Sequence, residues 1–508
     1  MSRPCSLLAF ILAAATAFSE TPYFTIKVVD AQTGRGVPLV ELETVGHVRF
    51  VTDNAGLVAL NEPSLMDRSV FFHVRSHGHE FPKDGFGFAG TTLTPRAGGR
   101  AELKIKRLNI AERLYRITGE GLYRDTILAG EMAPLREPLL NAQVVGQDST
   151  QAAVYRGKIY WLWGDTSRAS YPLGNFATSG AASDLPTQGG LAAAIGVDLR
   201  YFADEQGFAR AMWPRPEHGV IWTDGLVAVK DRAGVERLVA HYEHREGLAK
   251  LLDHGIGAFD DEASTFKKVA ELPADDAWRC VRGHPTRITE SGGDYFYSGT
   301  RDTMFPCVRV AAAFEKVIDP AACEAWTCLP EGARFDGKKT RIERDAAGRA
   351  LYAWRHNAEP LTAKQERDII DAGTIREDDA RFQPRDVTTG KAVQFHAGSV
   401  RWNEYRKKWI AIATEHGGTS LLGEVWFSEA DSPLGPWHRA RKIVTHDRYS
   451  FYNAVQHDFL DEDGGRFIYF EGTYTHDFSG NPDATPRYEY NQIMYRLDLA
   501  DERLRDTR

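Results

Sequence analysis

The sequence predicts an all-β protein in which a small β-sandwich precedes a five-bladed β-propeller. Two observations support this fold class. Between residues 147 and 475, five segments repeat one layout of polar start, short strand, turn, and aromatic strand ending in polar residues. Before them, residues 20–108 hold short strands separated by turns rich in Gly, Asn and Asp. We therefore expect a sandwich domain at 20–108 and a propeller domain at 109–508.

The first nineteen residues have the pattern of a secretory signal peptide. The apolar run at residues 7–17 is too short to span a bilayer as a helix, and a polar stretch follows it. No later stretch is long and apolar enough to cross a membrane. We expect cleavage near Ser19 and a secreted or periplasmic protein.

Composition limits the partners of the mature chain. The net charge of -8 comes from mixed signs with no basic block, which argues against nucleic acid and membrane surfaces as partners. A hydrophobic fraction of 43% is ample for a packed core, and we expect a monomer.

Four cysteines follow the leader, all within one short stretch. In an oxidising compartment their proximity favours two disulfides, and of the three possible pairings we favour Cys280–Cys307 with Cys323–Cys328. A zinc site would need tight pairs such as C-x-x-C, which this stretch lacks.

The segment at 20–108 follows the order strand, D-x-x-T-G, Pro, strand, T-D-x-x-G, with its turns at Thr33-Gly34 and Thr52-Asp53. This order resembles the carboxypeptidase-regulatory-like, transthyretin-type sandwich domains of secreted proteins. The resemblance implies a spacer or docking unit, because the motifs are turn residues. Three histidines near its end are interpreted as surface residues and not as a metal site: His73, His77 and His79.

The repeated segments lie at 147–167, 223–246, 283–302, 396–418 and 453–475. Each has a turn signal between two strands, and five such hairpins describe propeller blades better than an irregular sandwich does. Two inserts break the repeat, one at 170–216 and one at 359–391 with a short helix at 363–372. We expect both inserts near the rim that carries the site.

In an antiparallel hairpin, the start of the first strand and the end of the second strand lie at the same edge. The first-strand starts are Asp148, Asp224, His284, His396 and Asn453. The second-strand ends are Asp165, Glu243 with His244, Arg301, Glu415 with His416, and Glu471. The concentration of ionisable groups at this edge predicts a functional site. The alternative for Asp165 and Asp224 is that each is an ordinary turn residue.

Basic and aromatic residues extend the predicted site. Arg279, Arg282 and Arg309 surround the third hairpin start and would suit an anionic sugar, unless they form ordinary surface ion pairs. Trp222 is a candidate surface for stacking against a sugar ring.

The acidic first-hairpin start, V-Y-R-G-K-I-Y-W-L-W-G-D-T, and S-E-A-D-S-P-L-G-P-W in the fourth unit resemble the furanosidase-type propeller glycoside hydrolases, a group similar to arabinan-degrading enzymes. The resemblance implies that Asp148 is the base or nucleophile and that Asp224 tunes acidity. It leaves the acid open among three residues: Glu243, Glu415 and Glu471. The histidines at the starts of the third and fourth hairpins depart from the family pattern.

The leading hypothesis is a glycoside hydrolase acting on a poly- or oligosaccharide through paired carboxylates. One alternative is a polysaccharide lyase, in which His284 or His396 with a tyrosine removes a proton next to a uronate. Another is a propeller that binds carbohydrate without catalysis. A Ca²⁺ ion on the axis is conceivable, although the sequence has no dedicated calcium loop and predicts no particular ligands.

Overall fold

The computed structural model describes residues 21–175, 177–214, 216–247, 249–273 and 277–507. The predicted leader at 1–19 lies outside these ranges. Within them the strands form eight sheets, and the helices are short, which confirms the all-β class. Among the described residues, no helix combines the length and apolar character needed to cross a bilayer.

Two four-stranded sheets form the N-terminal part. One contains Leu57–Leu60, Phe24–Asp30, Arg100–Arg107 and His79–Glu80 in spatial order, and the other contains Arg49–Val51, Glu41–Thr44, Val70–Arg75 and Gly90–Leu93. Alternating apolar side chains of both sheets pack into one core that includes Ile26, Val28, Leu42, Phe72 and Val74.

Five further sheets, numbered I to V, follow one another along the chain. Their strands in spatial order are, for sheet I, Gln151–Tyr155, Lys158–Trp163, Ser179–Asp184 and Arg200–Tyr201; for sheet II, Val220–Lys230, Glu236–Glu246, Lys250–Asp260 and Thr265–Glu271; for sheet III, Thr286–Glu290, Gly293–Thr300, Thr303–Ala311, Glu324–Thr327 and Ala353–Arg355; for sheet IV, Phe395–Asn403, Lys408–Glu415, Val425–Ala430, Trp437–Val444 and Phe382–Asp386; for sheet V, Ser450–Gln456, Phe467–Thr475, Asn491–Asp498 and Glu112–Arg116.

A small three-stranded sheet lies beside sheet I and contains Val144–Gln147, Thr166–Arg168 and Tyr171–Asn175. The α-helices are Arg124–Leu128, Phe314–Val317 and Ala363–Asp371. Short 3₁₀ turns occur at Asn141–Gln143, Pro186–Gln188, Pro320–Ala322, Gly337–Lys339, Glu377–Asp379, Asp458–Leu460, Asp463–Gly465 and Glu502–Thr507.

The five predicted hairpins are confirmed, because the first two strands of every sheet from I to V pair antiparallel. The expected helix in the second insert is also present, and Thr362 caps it by accepting from the backbone N–H of Gln365, as sequence capping rules favour.

The expectation for the two inserts is wrong. The first insert, 170–216, supplies Ser179–Asp184, which pairs with Lys158–Trp163 as the third strand of sheet I. The second insert, 359–391, supplies Phe382–Asp386, which pairs in parallel with Trp437–Val444 at the far edge of sheet IV. Both segments complete sheets, because each sheet needs outer strands to cover its apolar face.

Sheet V takes its fourth strand from a distant part of the chain. Glu112–Arg116, which precedes all the other strands of the series, pairs antiparallel with Asn491–Asp498. This segment also carries contacts to the N-terminal part, where the Asn54 amide donates to the Arg116 carbonyl over 2.9 Å. Sheet V therefore joins the N-terminal part to the end of the sheet series.

The N-terminal histidines do not lie on the surface as the sequence suggested. His77 and His79 are half-buried, and the His77 ring lies 5.2 Å from the ring of Tyr449, which follows sheet IV. Burial, helped by the positive charge of Arg113, lowers the pKa of both histidines to about 3. They contribute to the packing between the N-terminal part and sheet V.

The predicted disulfides are not formed. Cys280, Cys307, Cys323 and Cys328 are all free and buried. The first three lie in the large core around sheets II to IV, whereas Cys328 belongs to a different apolar cluster with Leu329 and Tyr352. Closeness in sequence does not bring the favoured partners together, because consecutive strands carry the thiols into separate parts of the core.

Candidate active site

One cavity of about 210 Å³ is lined by residues from all five sheets of the series and the segments that lead into them. It brings together six of the residues that the sequence placed at one edge or around it: Asp224, Arg282, His284, Arg301, His396 and Asn453. Ser149 and Thr150, which directly follow Asp148, also line it. The hairpin alignment therefore located a real convergence of polar side chains.

A pair of carboxylates from sheet I lies next to this cavity. Asp148 precedes the first strand of the sheet and Asp165 follows the second strand, so the hairpin geometry brings them together. Asp148 Oδ2 accepts a hydrogen bond of 2.9 Å from the hydroxyl of Tyr452. Its Oδ1 is buried without a hydrogen bond of normal geometry, against Gly164, where a Cβ atom would lie only 2.3 Å away. Gly164 thus makes room for the carboxyl group.

The pair holds its proton more tightly than isolated carboxyls do. Burial, reinforced by the neighbouring charge of Asp165, raises the pKa of Asp148 to about 6, against the opposing hydrogen bonds of Tyr452 and Tyr490. Burial also raises the pKa of Asp165, while a hydrogen bond from Trp222 opposes the rise. One unsatisfied buried oxygen makes the ionised form of Asp148 costly.

Asp224 on sheet II has the opposite environment. Its Oδ2 accepts from Arg282 Nε over 3.2 Å and from the backbone N–H of Gly283 over 3.4 Å, and its Oδ1 lies 2.7 Å from His241 Nδ1. Burial alone would raise its pKa, but the positive charge of Arg282 and the contact with His241 lower the pKa well below its usual range. Asp224 is therefore ionised at any pH at which the protein would work.

The two carboxylate environments adjoin one another. Trp222 and Asp224 are two residues apart on one strand, so their side chains lie on the same face of sheet II. The Trp222 indole donates to Asp165 over 2.9 Å. Asp165 and Asp224 are thus connected through neighbouring positions of a single strand. The sequence proposal that Trp222 stacks on a sugar is replaced by this hydrogen-bonding role, because its N–H is directed at a carboxylate.

Glu243 lies beside Asp224 but serves a different purpose. Its two carboxylate oxygens accept from Arg282 over 2.6 Å and from Arg245 over 2.7 Å. Burial would raise the pKa of Glu243, but Arg282 outweighs it and lowers the pKa. A carboxylate neutralised by two guanidinium groups is a poor proton donor, and it positions Arg282 against Asp224. His244, which the sequence placed with Glu243, lies 2.9 Å from Asp253 instead.

Glu471 and Glu415 are not at the cavity surface. Glu471 is fully buried in sheet V, where it accepts from Thr150 over 3.1 Å and lies 2.6 Å from His457 Nε2. Glu415 accepts from the Trp426 indole over 2.7 Å, and burial, with the nearby charge of Glu424, raises its pKa. Neither residue lines the described cavity, so we do not assign a contact with substrate to either one.

Two of the three arginines that the sequence grouped lie elsewhere. The Arg309 guanidinium pairs with Glu290 and Glu324 and lies over the Trp354 ring, and Arg279 lies 4.3 Å from the centre of the Trp278 ring. Only Arg282 of this group reaches the cavity. The ordinary ion pairs considered from the sequence explain Arg309.

Sequence reasoning missed Tyr452, Tyr490 and the pair His241–His254. His241 Nε2 lies 3.1 Å from His254 Nδ1, which extends the hydrogen-bonded chain from Asp224 into sheet II. A signal existed for His241, because it precedes Glu243 by two residues and alternation places both on one face. Tyr452 directly precedes the predicted Asn453, but an irregularity in the pairing of its strand redirects the side chains there.

The cavity does not fit a calcium ion. A Ca²⁺ ion takes six to eight oxygen ligands. The only carboxylate among the described cavity residues is Asp224, and it is already held by Arg282 and His241. A different group of metal-capable side chains, His476, Asp477 and Glu489, lies together after the second strand of sheet V.

No family profile matches the sequence, and no curated protein matches it significantly. Solved structures similar to it include a Bacteroides ovatus protein provisionally named a hydrolase, with 12% identity, coverage of 70% of this chain and 87% of that chain, and a TM-score of 0.43. An exo-1,5-alpha-L-arabinanase from a bovine ruminal metagenomic library has 10% identity, 70% and 94% coverage, and a TM-score of 0.35.

An exo-beta-1,3-galactanase from Phanerochaete chrysosporium, solved with beta-1,3-galactotriose, has 7% identity, 77% and 65% coverage, and a TM-score of 0.38. These likenesses are too distant to assign an activity to this chain. The arrangement of Asp148, Asp165 and Asp224 at the shared cavity is therefore the basis for a functional proposal.

Proposed function

We propose that this protein is an exported glycoside hydrolase whose five sheets act as the blades of a propeller. The observation that carries the proposal is the opposite proton affinity of adjoining carboxyl groups. The Asp148–Asp165 pair favours the protonated state, and Asp224 favours the ionised state. Cleavage of a glycosidic bond needs one carboxyl group of each kind.

In the proposed reaction, the Asp148–Asp165 pair supplies the proton for the leaving glycosidic oxygen. Ionised Asp224 then either accepts a proton from the attacking water or bonds to the anomeric carbon, in which case water later releases the sugar. In both cases one water molecule is consumed and two sugar products result. The hydrogen bonds from Arg282, Gly283 and His241 hold Asp224 in position for this role.

These roles reverse those that the family resemblance implies for Asp148 and Asp224. The reason is local electrostatics: Arg282 compensates the charge of Asp224, whereas Asp148 is buried beside a second acid with no cation bonded to it. The pair Asp148–Asp165 replaces a glutamate as the proposed acid.

The test is hydrolysis of a panel of neutral and acidic glycans by the purified protein, followed by reducing-end assay and ultraviolet absorbance. We expect reducing ends without new near-ultraviolet absorbance, and loss of at least 100-fold in rate for Asp224→Asn and for Asp148→Asn. Asp378→Asn, an exposed acid on the outer side of sheet IV, is the matched control and should retain full rate.

The outcomes separate the competing functions. Products that absorb near 235 nm, the typical range of unsaturated uronates, would indicate a lyase and would contradict the proposal. Glycan binding without any products would indicate a binding protein. Full activity in Asp224→Asn, with correct folding, would also overturn the assignment.

A further inference from the structure

Most charges around the cavity are balanced by partners. Asp224 and Arg282 bond to each other, and Arg282 also bonds to Glu243. His284 and His396 line the cavity as well, and burial lowers the pKa of each, so both are neutral near pH 7. These groups leave little net charge to attract or repel a substrate.

Arg301 is the exception. It lies in the two-residue turn between Gly293–Thr300 and Thr303–Ala311, at the cavity edge of sheet III. Its side chain is exposed and lines the cavity. Within the described part of the chain it makes no hydrogen bond, ion pair or ring contact. The guanidinium therefore presents all its donors to whatever occupies the cavity.

A free guanidinium in a polar cavity selects for anions. Its planar fork of N–H donors matches the two oxygens of a carboxylate or of a sulfate group. Because the remaining cavity charges are compensated, the positive potential of Arg301 is not cancelled by a fixed carboxylate bonded to it, and it raises the local concentration of anionic ligands.

We propose that Arg301 binds an anionic substituent of the substrate, so that the protein acts on an acidic glycan whose sugar carries a carboxylate or a sulfate ester. This inference rests on the proposed glycoside hydrolase function and names its substrate class. It differs from the sequence interpretation, which assigned the anion to Arg279, Arg282 and Arg309, since two of these lie away from the cavity and the third is paired.

The test is isothermal titration calorimetry at low salt with four probes. These are a trigalacturonate, its carboxyl-reduced neutral counterpart, a sulfated galactan tetrasaccharide, and its desulfated counterpart. We expect one anionic probe to bind at least tenfold more tightly than its neutral counterpart, and the preferred probe distinguishes carboxylate from sulfate. Raising the salt concentration should reduce this preference.

Variants assign the preference to the residue. Arg301→Gln should abolish it while leaving affinity for the neutral probes unchanged, and Arg301→Lys should retain part of it, because a point charge remains without the fork. Arg68→Gln, an exposed arginine of the N-terminal part, is the matched control and should behave as the wild type.

Equal affinity for charged and neutral probes, absence of binding to both anionic probes, or an unchanged preference in Arg301→Gln would overturn the inference. Its failure is distinguishable from failure of the proposed function. Hydrolysis of neutral glycans without charge preference would contradict only the role of Arg301. Charge-selective binding without hydrolysis would contradict only the catalytic proposal.

Discussion

The indole N–H of Trp222 is bonded to Asp165 Oδ1, which couples sheet II to the acidic pair of sheet I. The same strand carries Asp224 two residues later, so one strand positions both the ionised carboxylate and a hydrogen-bond donor to the protonated pair. This arrangement makes the proton affinity of Asp165 sensitive to a single atom of Trp222.

Replacing Trp222 by Phe should therefore move the pH dependence of hydrolysis. The hydrogen bond favours the ionised form of Asp165, so its loss raises the pKa of Asp165 further. We expect the alkaline limb of the kcat/KM profile to move up by about one unit, since hydrogen bonds to charged groups are worth about 1.5–3 kcal/mol. A limb that does not move would contradict the coupling.

Asp165→Asn should shift the same limb in the opposite direction. Removing the neighbouring negative charge lowers the pKa of Asp148, which otherwise lies at about 6. The acid is then lost at lower pH, and activity at pH 7 falls more than activity at pH 5. The profile should be measured for both variants on one substrate, and shifts in the same direction would refute a proton shared by this pair.

Asp148→Asn should stabilise the fold at high pH. The folded-state pKa of Asp148 lies above its ordinary value of 3.8, at about 6. The stability that it contributes is therefore complete below about pH 4 and is lost as the pH rises through 6. We expect the variant to gain about 2 kcal/mol relative to the wild type between pH 4 and pH 8, measured by denaturant unfolding. An equal difference at both pH values, or the same gain in Asp378→Asn, would contradict this account.

Asp53 should be essential for attaching the N-terminal part. It is fully buried, its Oδ2 accepts from both the backbone N–H and the hydroxyl of Thr126 over 2.7 Å, and its Oδ1 accepts from Ala55 and Leu57. Asp53→Ala should cost about 2–4 kcal/mol, because several buried donors lose their acceptor. Thermal unfolding and limited proteolysis would detect the loss. Thr126→Val, which removes only the hydroxyl donor, should cost less, and equal effects would argue against a role of the backbone contact.

The thiols should remain reduced after export. Burial raises the pKa of Cys280, Cys307, Cys323 and Cys328 to about 12 or higher, which disfavours the reactive thiolate. Titration of the purified mature protein with a thiol reagent, in denaturant and without reductant, should find four thiols per chain. Two or fewer would show that disulfides form.

The sequence predicted the hairpins because turn residues and alternating strands are local signals. It also predicted that Asp224, His284, Arg301, His396 and Asn453 converge, since hairpin ends share an edge. Its errors arose where strands continue past the expected ends. Glu471 lies within a strand and not at its end, so its side chain is directed into the protein. Spacing along the chain does not contain that information.

Partner choice among charged residues was equally beyond the sequence. Arg309 and Arg301 belong to the same sheet, yet Arg309 is held by Glu290 and Glu324 and Arg301 has no such partner. The difference depends on which outer strand packs beside each one, which local patterns do not specify.

The pairing of Glu112–Arg116 with Asn491–Asp498 has a consequence for biosynthesis. A ribosome makes the first of these strands long before the second, so sheet V stays incomplete until almost the whole chain has been synthesised. Sheets I to IV contain all their own strands and have no such delay. A polypeptide that stops short of residue 491 leaves Glu112–Arg116 without the neighbour that it pairs with, so truncation at the C-terminus removes support from a strand made near the beginning of translation.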